Sequence, residues 1–371
     1  MTQEILDSAR GATRERALRA LEHAPLDLQE AAALLQAPRD LILDELLVRS
    51  RAVTESLFHR RVLVLAPCYL SSFCVNGCAY CRYNTEEPPA RRWISPLEVG
   101  EEVGSLARRG VRRVVLVAGE DRSAASPEYI AQAAAQARRY VSEVDLAVGS
   151  ASEAEYREWK LAGADGVFCY QETYDRAVYA SVHPAGAKSR YDERIGALER
   201  AGRAGMSRLG LGVLLGLGPP AADLLALIEH ARRLALLFPS ARLTVALPRL
   251  NAAPGSPLPE SAHPVTDEEL LRLVAVARLA LPRAGIIAFP REPEWLRGRL
   301  LSAGVTQMTS RGGVDPGAFV ECLHDDGATG SRDGRTELEL VWDLEDIGYH
   351  VAREEESNND TRPGPSAGST M

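Results

Sequence analysis

Apolar positions recur at i, i+3 and i+4 through much of the first sixty residues. ALRALEHA, LDLQEAAALLQA and LILDELLVRSRAVTESLF each carry one apolar stripe, so residues 13–60 are predicted to be helical. Pro25 and Pro38 punctuate these helices, and Asp27 and Asp40 stand where N-caps are expected. From residue 62 the texture changes to short β-branched runs alternating with amphipathic helical runs. The predicted strands are VLVLAP (62–67), RRVVLVAG (112–119), DLAVGSA (145–151), GVFCYQE (166–172), RLGLGVLLG (208–216), RLTVALP (242–248), IIAFP (286–290) and VTQMT (305–309). Strands that are apolar almost throughout suit a parallel sheet buried on both faces. Eight strand–helix repeats predict an α/β fold, a (β/α)8-type barrel or an open version of it, whose chemistry sits at the C-terminal ends of the strands.

The polar residues follow that rule. Strand two ends in Gly119-Glu120-Asp121, strand four in Gln171-Glu172-Thr173 and strand six in Pro248-Arg249. Strand seven ends in Pro290-Arg291-Glu292 and strand eight in Thr309-Ser310-Arg311. The domain expectation is a helical extension over 1–61, a barrel over 62–310, a C-terminal extension over 311–352 and a tail over 353–371. Within the extension, residues 311–335 read as irregular and LELVWDLEDIGYH as a short helix. The tail has almost no apolar content and is expected to be disordered.

Composition narrows the partners. The 371 residues are 46% hydrophobic, enough for a sizeable core, and the net charge of -8 with no basic block argues against nucleic acid. Basic residues are almost all Arg, with Lys only at Lys160 and Lys188. The N-terminus has no secretory h-region and no run of about 20 apolar residues occurs, so a cytoplasmic protein without a membrane span is expected. Six cysteines in such a chain do not suggest a disulfide framework, and Cys169 and Cys322 read as small buried hydrophobes.

Four cysteines fall in CYLSSFCVNGCAYCRYN, residues 68–84, and Cys74, Cys78 and Cys81 are spaced C-x3-C-x2-C. A structural zinc site wants four ligands, so a fourth would have to come from Cys68, a distant Cys or a His. An iron–sulfur cubane held by three thiolates keeps one iron open for substrate chemistry. Either fits the spacing; a non-catalytic metal-binding scaffold or sensor is the alternative from another class. The glycines of LGLGVLLGLG do not make a dinucleotide motif, because Leu215 stands where a third Gly is needed after Gly210 and Gly212. They are expected instead to let a cofactor approach the backbone.

C-x3-C-x2-C with an aromatic before the last Cys resembles the radical S-adenosylmethionine (SAM) superfamily. CYQETYDRAVYASVHPAGAKSRYDERIGALERAGRAG and FPREPEWLRGRLLSAGVTQMTSRGGVDPGAF are similar to its aromatic amino acid lyase branch, and the similarity runs over roughly residues 15–350. That resemblance implies a [4Fe-4S] cluster on Cys74, Cys78 and Cys81, with SAM on the open iron. It implies cleavage of the Cα–Cβ bond of an aromatic amino acid, tyrosine first and tryptophan or another amino acid next. An electron donor such as flavodoxin or ferredoxin would supply the reductant. Tyr80 would stack on the adenine, Glu120 would accept from the SAM amino group beside Gly119, and Gln171 and Glu172 would reach the ribose or the substrate. Arg291 would hold the substrate carboxylate, assisted by Thr309; Arg249 and His183 are further candidates for the cavity.

The chain also departs from the branch. Cys68 stands in APCY, where an apolar residue is usual, and is expected to line the substrate cavity. Cys81 is followed by Arg82-Tyr83-Asn84 in place of a Gly-aromatic pair, and Thr309-Ser310-Arg311-Gly312-Gly313 replaces a Ser-rich loop. No Cys follows DIGYHVAREEESNND, where the hydrogenase maturases of the branch continue into a second cluster site, so a lyase without that cluster is expected.

Overall fold

The computed structural model describes residues 2–81, 84, 90–251, 259, 262–310, 316 and 332–352. Cys322, Arg311 and the tail expected to be disordered lie outside them. All eight predicted strands form: β1 (Arg61–Ser71), β2 (Arg113–Ala118), β3 (Glu143–Ala147), β4 (Gly166–Phe168), β5 (Arg208–Gly212), β6 (Arg242–Ala246), β7 (Gly285–Ala288) and β8 (Gln307–Thr309). Each pairs in parallel with the next, and β1 pairs with both β8 and β2, which closes the barrel. The open version considered from the sequence is thereby excluded. No described helix is long and apolar enough to cross a membrane.

Strand period divides the core in two. Leu63 and Leu65 of β1 meet Val115, Phe168, Ala246 and Ile287 inside the barrel. Their neighbours Val64, Ala66, Cys68 and Leu70 point outward and join the larger core between sheet and helices. Cys68 is 1% exposed on that outer face, and burial drives its thiol pKa up. It does not line the cavity, contrary to expectation, because Pro67 and Tyr69 take the inward positions on either side of it. Cys169 behaves as expected and is buried.

The N-terminal extension is four helices, Thr2–Ser8, Arg14–Ala20, Leu28–Gln36 and Leu43–Phe58. The first was not predicted. Asp27 caps the third in a reciprocal box with Glu30. Asp40 caps nothing: it lies in the 3-10 turn Arg39–Leu41, and the fourth helix starts after Ile42 without a side-chain cap. After the barrel, helix Glu337–Asp346 ends short of the predicted GYH. His350–Ala352 instead forms β9, which pairs with Arg61–Leu63 at the base of β1.

Candidate functional site

The C-terminal ends of the strands surround a cavity of about 340 Å³. Its walls are mostly apolar and aromatic, with Tyr69 from β1, Phe168 from β4, Tyr170 just after it, and Phe289 after β7. Glycines on β5 make room for two of these rings. A Cβ on Gly210 would lie 2.1 Å from the Phe168 ring, and one on Gly212 would lie 2.6 Å from Tyr170. These glycines therefore accommodate protein side chains, which corrects the expectation that they clear a path for a cofactor.

Beyond β1 the chain runs into the cysteine loop, where Cys78 is buried and Cys74 and Cys81 are half-buried, none in a disulfide. Three segments brace this loop. The Val75 N–H donates to the Glu120 carbonyl at 3.3 Å, Gly77 N–H to Ala185 at 3.2 Å and Ala79 N–H to Val182 at 2.9 Å. Gly119 packs so closely beneath that a Cβ there would lie 2.2 Å from the Phe73 carbonyl oxygen. Burial pushes the Cys78 thiol up to about 11, with Lys188 acting in the opposite direction and Cys81, Glu172 and Cys74 reinforcing the rise. Among the described residues, no three His, Cys, Asp or Glu side chains stand close enough to hold a single metal ion.

Two buried ion pairs stand between the loop and the cavity. Arg194 Nη1 lies 2.9 Å from Glu120 Oε1 and its Nε donates to the Tyr170 carbonyl at 2.6 Å. Lys188 Nζ lies 2.6 Å from Glu172 Oε1. Burial alone would raise both carboxyl pKa values; Arg194 and Lys188 outweigh it and hold both below the ordinary range. Glu172 adopts φ +70°, a left-handed conformation unusual for a side-chain-bearing residue, while its carbonyl accepts from Leu214 N–H. Gly149 at φ +88° leaves space for Glu120, since a Cβ would meet its carboxyl carbon at 2.6 Å.

Tyr80 and His183 form a unit beside these pairs. The His183 Nδ1 lies 2.9 Å from the Tyr179 carbonyl, which can only accept, so Nδ1 carries the proton and Nε2 accepts from the Tyr80 hydroxyl at 2.8 Å. Burial lowers the His183 pKa to about 4 and keeps the ring neutral. His183 thus positions Tyr80 and is not among the cavity walls.

Arg291, which is exposed, and Thr309, which is buried, both belong to the cavity lining. Arg291 makes no hydrogen bond or ion pair with any described residue; the neighbouring Glu292 is taken bidentately by Arg249. Arg249, also held by Asp267 at 2.7 Å, is thereby locked away from the cavity. Thr309 is 5% exposed and its hydroxyl has no hydrogen-bond partner among the described residues. Gln171 is buried with both amide atoms unpartnered, but it does not line the cavity.

The family comparisons agree with this geometry. Residues 68–231 match the model of the radical SAM superfamily, and residues 246–350 that of the biotin and thiamin synthesis associated domain. A biotin synthase from Sorangium cellulosum is 31% identical over 69% of this chain and 72% of its own. The chain belongs to the radical SAM superfamily. It is also similar to 2-iminoacetate synthase of Escherichia coli, 29% identical over 82% of this chain and 80% of the relative. A crystal structure of HydG, a maturase of the [FeFe]-hydrogenase, superposes with a TM-score of 0.88 at 29% identity, covering 95% of this chain and 80% of that one.

Radical SAM enzymes use a [4Fe-4S] cluster and SAM, act on small molecules and need a reductant. The residues present fit that requirement. Three cysteines, none in a disulfide, share one braced loop over the barrel mouth, and a cubane takes each thiolate on a different iron, so the thiols need not converge as for one ion. The residues not singled out from the sequence are Lys188, Arg194, Phe168, Tyr170 and Phe289. The signal for Lys188 was present, as one of only two lysines in the chain.

Proposed function

We propose that the protein is a radical SAM carbon–carbon lyase that cleaves the Cα–Cβ bond of an aromatic amino acid, with tyrosine giving 2-iminoacetate and p-cresol. The observation that carries this reading is the cavity itself: an aromatic, apolar chamber with the Arg291 guanidinium and the Thr309 hydroxyl in its wall, neither bonded to a described residue. An amino acid carboxylate suits Arg291, which can bind it bidentately, and the Thr309 hydroxyl can donate to the same group. The apolar walls take the aromatic ring and exclude water from the reacting carbon.

Cys74, Cys78 and Cys81 would hold the cluster. With SAM bound, the cofactor pair would supply the radical chemistry that removes a hydrogen atom from the substrate amine. Glu120 would accept from an ammonium at the mouth of the barrel, and Arg194 beside it holds its carboxyl below the ordinary range and so ionised. Tyr80, fixed by His183, presents an aromatic face beside the cysteine loop for a base to stack on.

The test is anaerobic incubation of the reduced, cluster-loaded protein with SAM and each amino acid in turn. Formation of 5'-deoxyadenosine stimulated by an aromatic amino acid is expected. No stimulation by any amino acid rejects the lyase reading, and stimulation by tryptophan instead of tyrosine moves the substrate within the same branch.

A further inference from the structure

Of 43 basic residues, only Lys160 and Lys188 are lysines, and Lys188 is buried. Its backbone is pinned to the cysteine loop, its N–H donating at 2.9 Å to Oδ1 of Asn76, which lies between Cys74 and Cys78. Gly186 makes this approach possible: at φ +82°, a Cβ there would lie 2.3 Å from Asn76 Oδ1. The Lys188 ammonium stands 5.5 Å from the centre of the Tyr80 ring, one residue before Cys81. Its counter-ion, Glu172, belongs to the cavity wall. One buried ion pair therefore links the loop that carries the thiols to the chamber that takes the substrate.

We propose that Lys188 is a positioning residue that sets the reduction potential of the cluster on Cys74, Cys78 and Cys81, with Glu172 as its counter-ion. This rests on the reading of those cysteines as cluster ligands. Reduction adds negative charge to the cluster, and a nearby cation favours the reduced state. The Glu172 carboxylate opposes that effect. The ammonium lies on the cysteine-loop side of the pair, by the Tyr80 ring, and the carboxylate on the cavity side, so the loop meets the positive end of the pair first.

The test is a reductive titration of the cluster-loaded protein, followed by the paramagnetic signal of the reduced cluster. Lys188→Met is expected to shift the potential negative and Glu172→Gln to shift it positive. The reduced fraction at a fixed applied potential should change by about fivefold or more in each case. Lys188→Arg keeps the charge and should stay near the wild type. Opposite shifts distinguish electrostatics from a structural role, which would move both variants the same way. Glu172→Gln alone supplies a signed result if Lys188→Met does not fold. A loaded Glu172→Gln or Lys188→Met protein with an unshifted potential, or both variants shifting together, overturns the inference alone. A wild-type protein that takes up no [4Fe-4S] cluster overturns the reading of the cysteines as well.

Discussion

Replacing Gly119 with Ala places one methyl group against the backbone that carries the first cysteine. The added Cβ would sit 2.2 Å from the Phe73 carbonyl oxygen, 2.9 Å from its carbon and 3.0 Å from Cys74 Cβ. Two of these are main-chain atoms, so no rotamer change relieves the clash. Gly119 cannot swing aside, because its N–H donates to the Ser71 carbonyl at 2.8 Å where β1 and β2 pair. The loop must retreat by about 1 Å, and overpacking of this kind costs about 1–3 kcal/mol. At about 2–4 °C per kcal/mol, Tm should fall by roughly 2–12 °C. The displaced residue is Cys74, so iron and acid-labile sulfide per chain should fall in a protein that remains folded. Gly298→Ala is the control: it lies in the helix Glu294–Ala303 with nothing within 4 Å of its Cβ. It should retain iron and gain about 0.5–1 kcal/mol. A Gly119→Ala protein with wild-type iron, sulfide and Tm would refute the reasoning that this glycine exists for the cysteine loop.

Arg291→Ala should raise the KM for the amino acid by about 10–100-fold, the loss of a charged hydrogen-bonding partner, while the Kd for SAM, measured by calorimetry, stays unchanged; equal weakening of both would place Arg291 elsewhere. Cys68→Ala should leave the iron content intact and cost about 1–2 kcal/mol as a small buried cavity, so iron loss in this variant would return Cys68 to the cluster. Burial pushes the Asp223 pKa up to about 6, against the opposing hydrogen bonds from Tyr174 N–H and the Thr173 hydroxyl. The folded protein therefore holds this proton to about pH 6 and the unfolded chain only to about 3.9, so the group's contribution is complete below pH 4 and lost as pH rises through 6. Asp223→Asn keeps an acceptor for both donors and should match the wild type near pH 4, then exceed it by up to about 3 kcal/mol at pH 7; a stability difference constant with pH, followed by chemical denaturation, would contradict this.

The barrel was legible because its strands are short apolar runs separated by amphipathic helices, a pattern that survives without knowledge of pairing. The cysteine loop stood out by its spacing, and Arg291 and Thr309 by the family resemblance; both of these residues line the cavity. The facing of Cys68 was not. In VLVLAPCYLSS both faces of β1 are buried, one against the barrel interior and one against helices, so alternation leaves no polar trace. The purpose of Gly210 and Gly212 depends on rings from β4, more than forty residues earlier in the chain. Lys188 and Arg194 pair with Glu172 and Glu120 only after β2 and β4 are brought together, a juxtaposition that local pattern does not contain. The strand β9 has three residues and exists through pairing with the base of β1.

The central claim is that this chamber breaks a tyrosine-type Cα–Cβ bond. It is tested most directly by mass spectrometry of products from ring-labelled tyrosine after a single anaerobic incubation with SAM and reductant. The account predicts labelled p-cresol together with 2-iminoacetate, or glyoxylate from its hydrolysis, and both lost in Arg291→Ala at low substrate. Formation of 5'-deoxyadenosine with the labelled carbon skeleton of tyrosine left intact would contradict it.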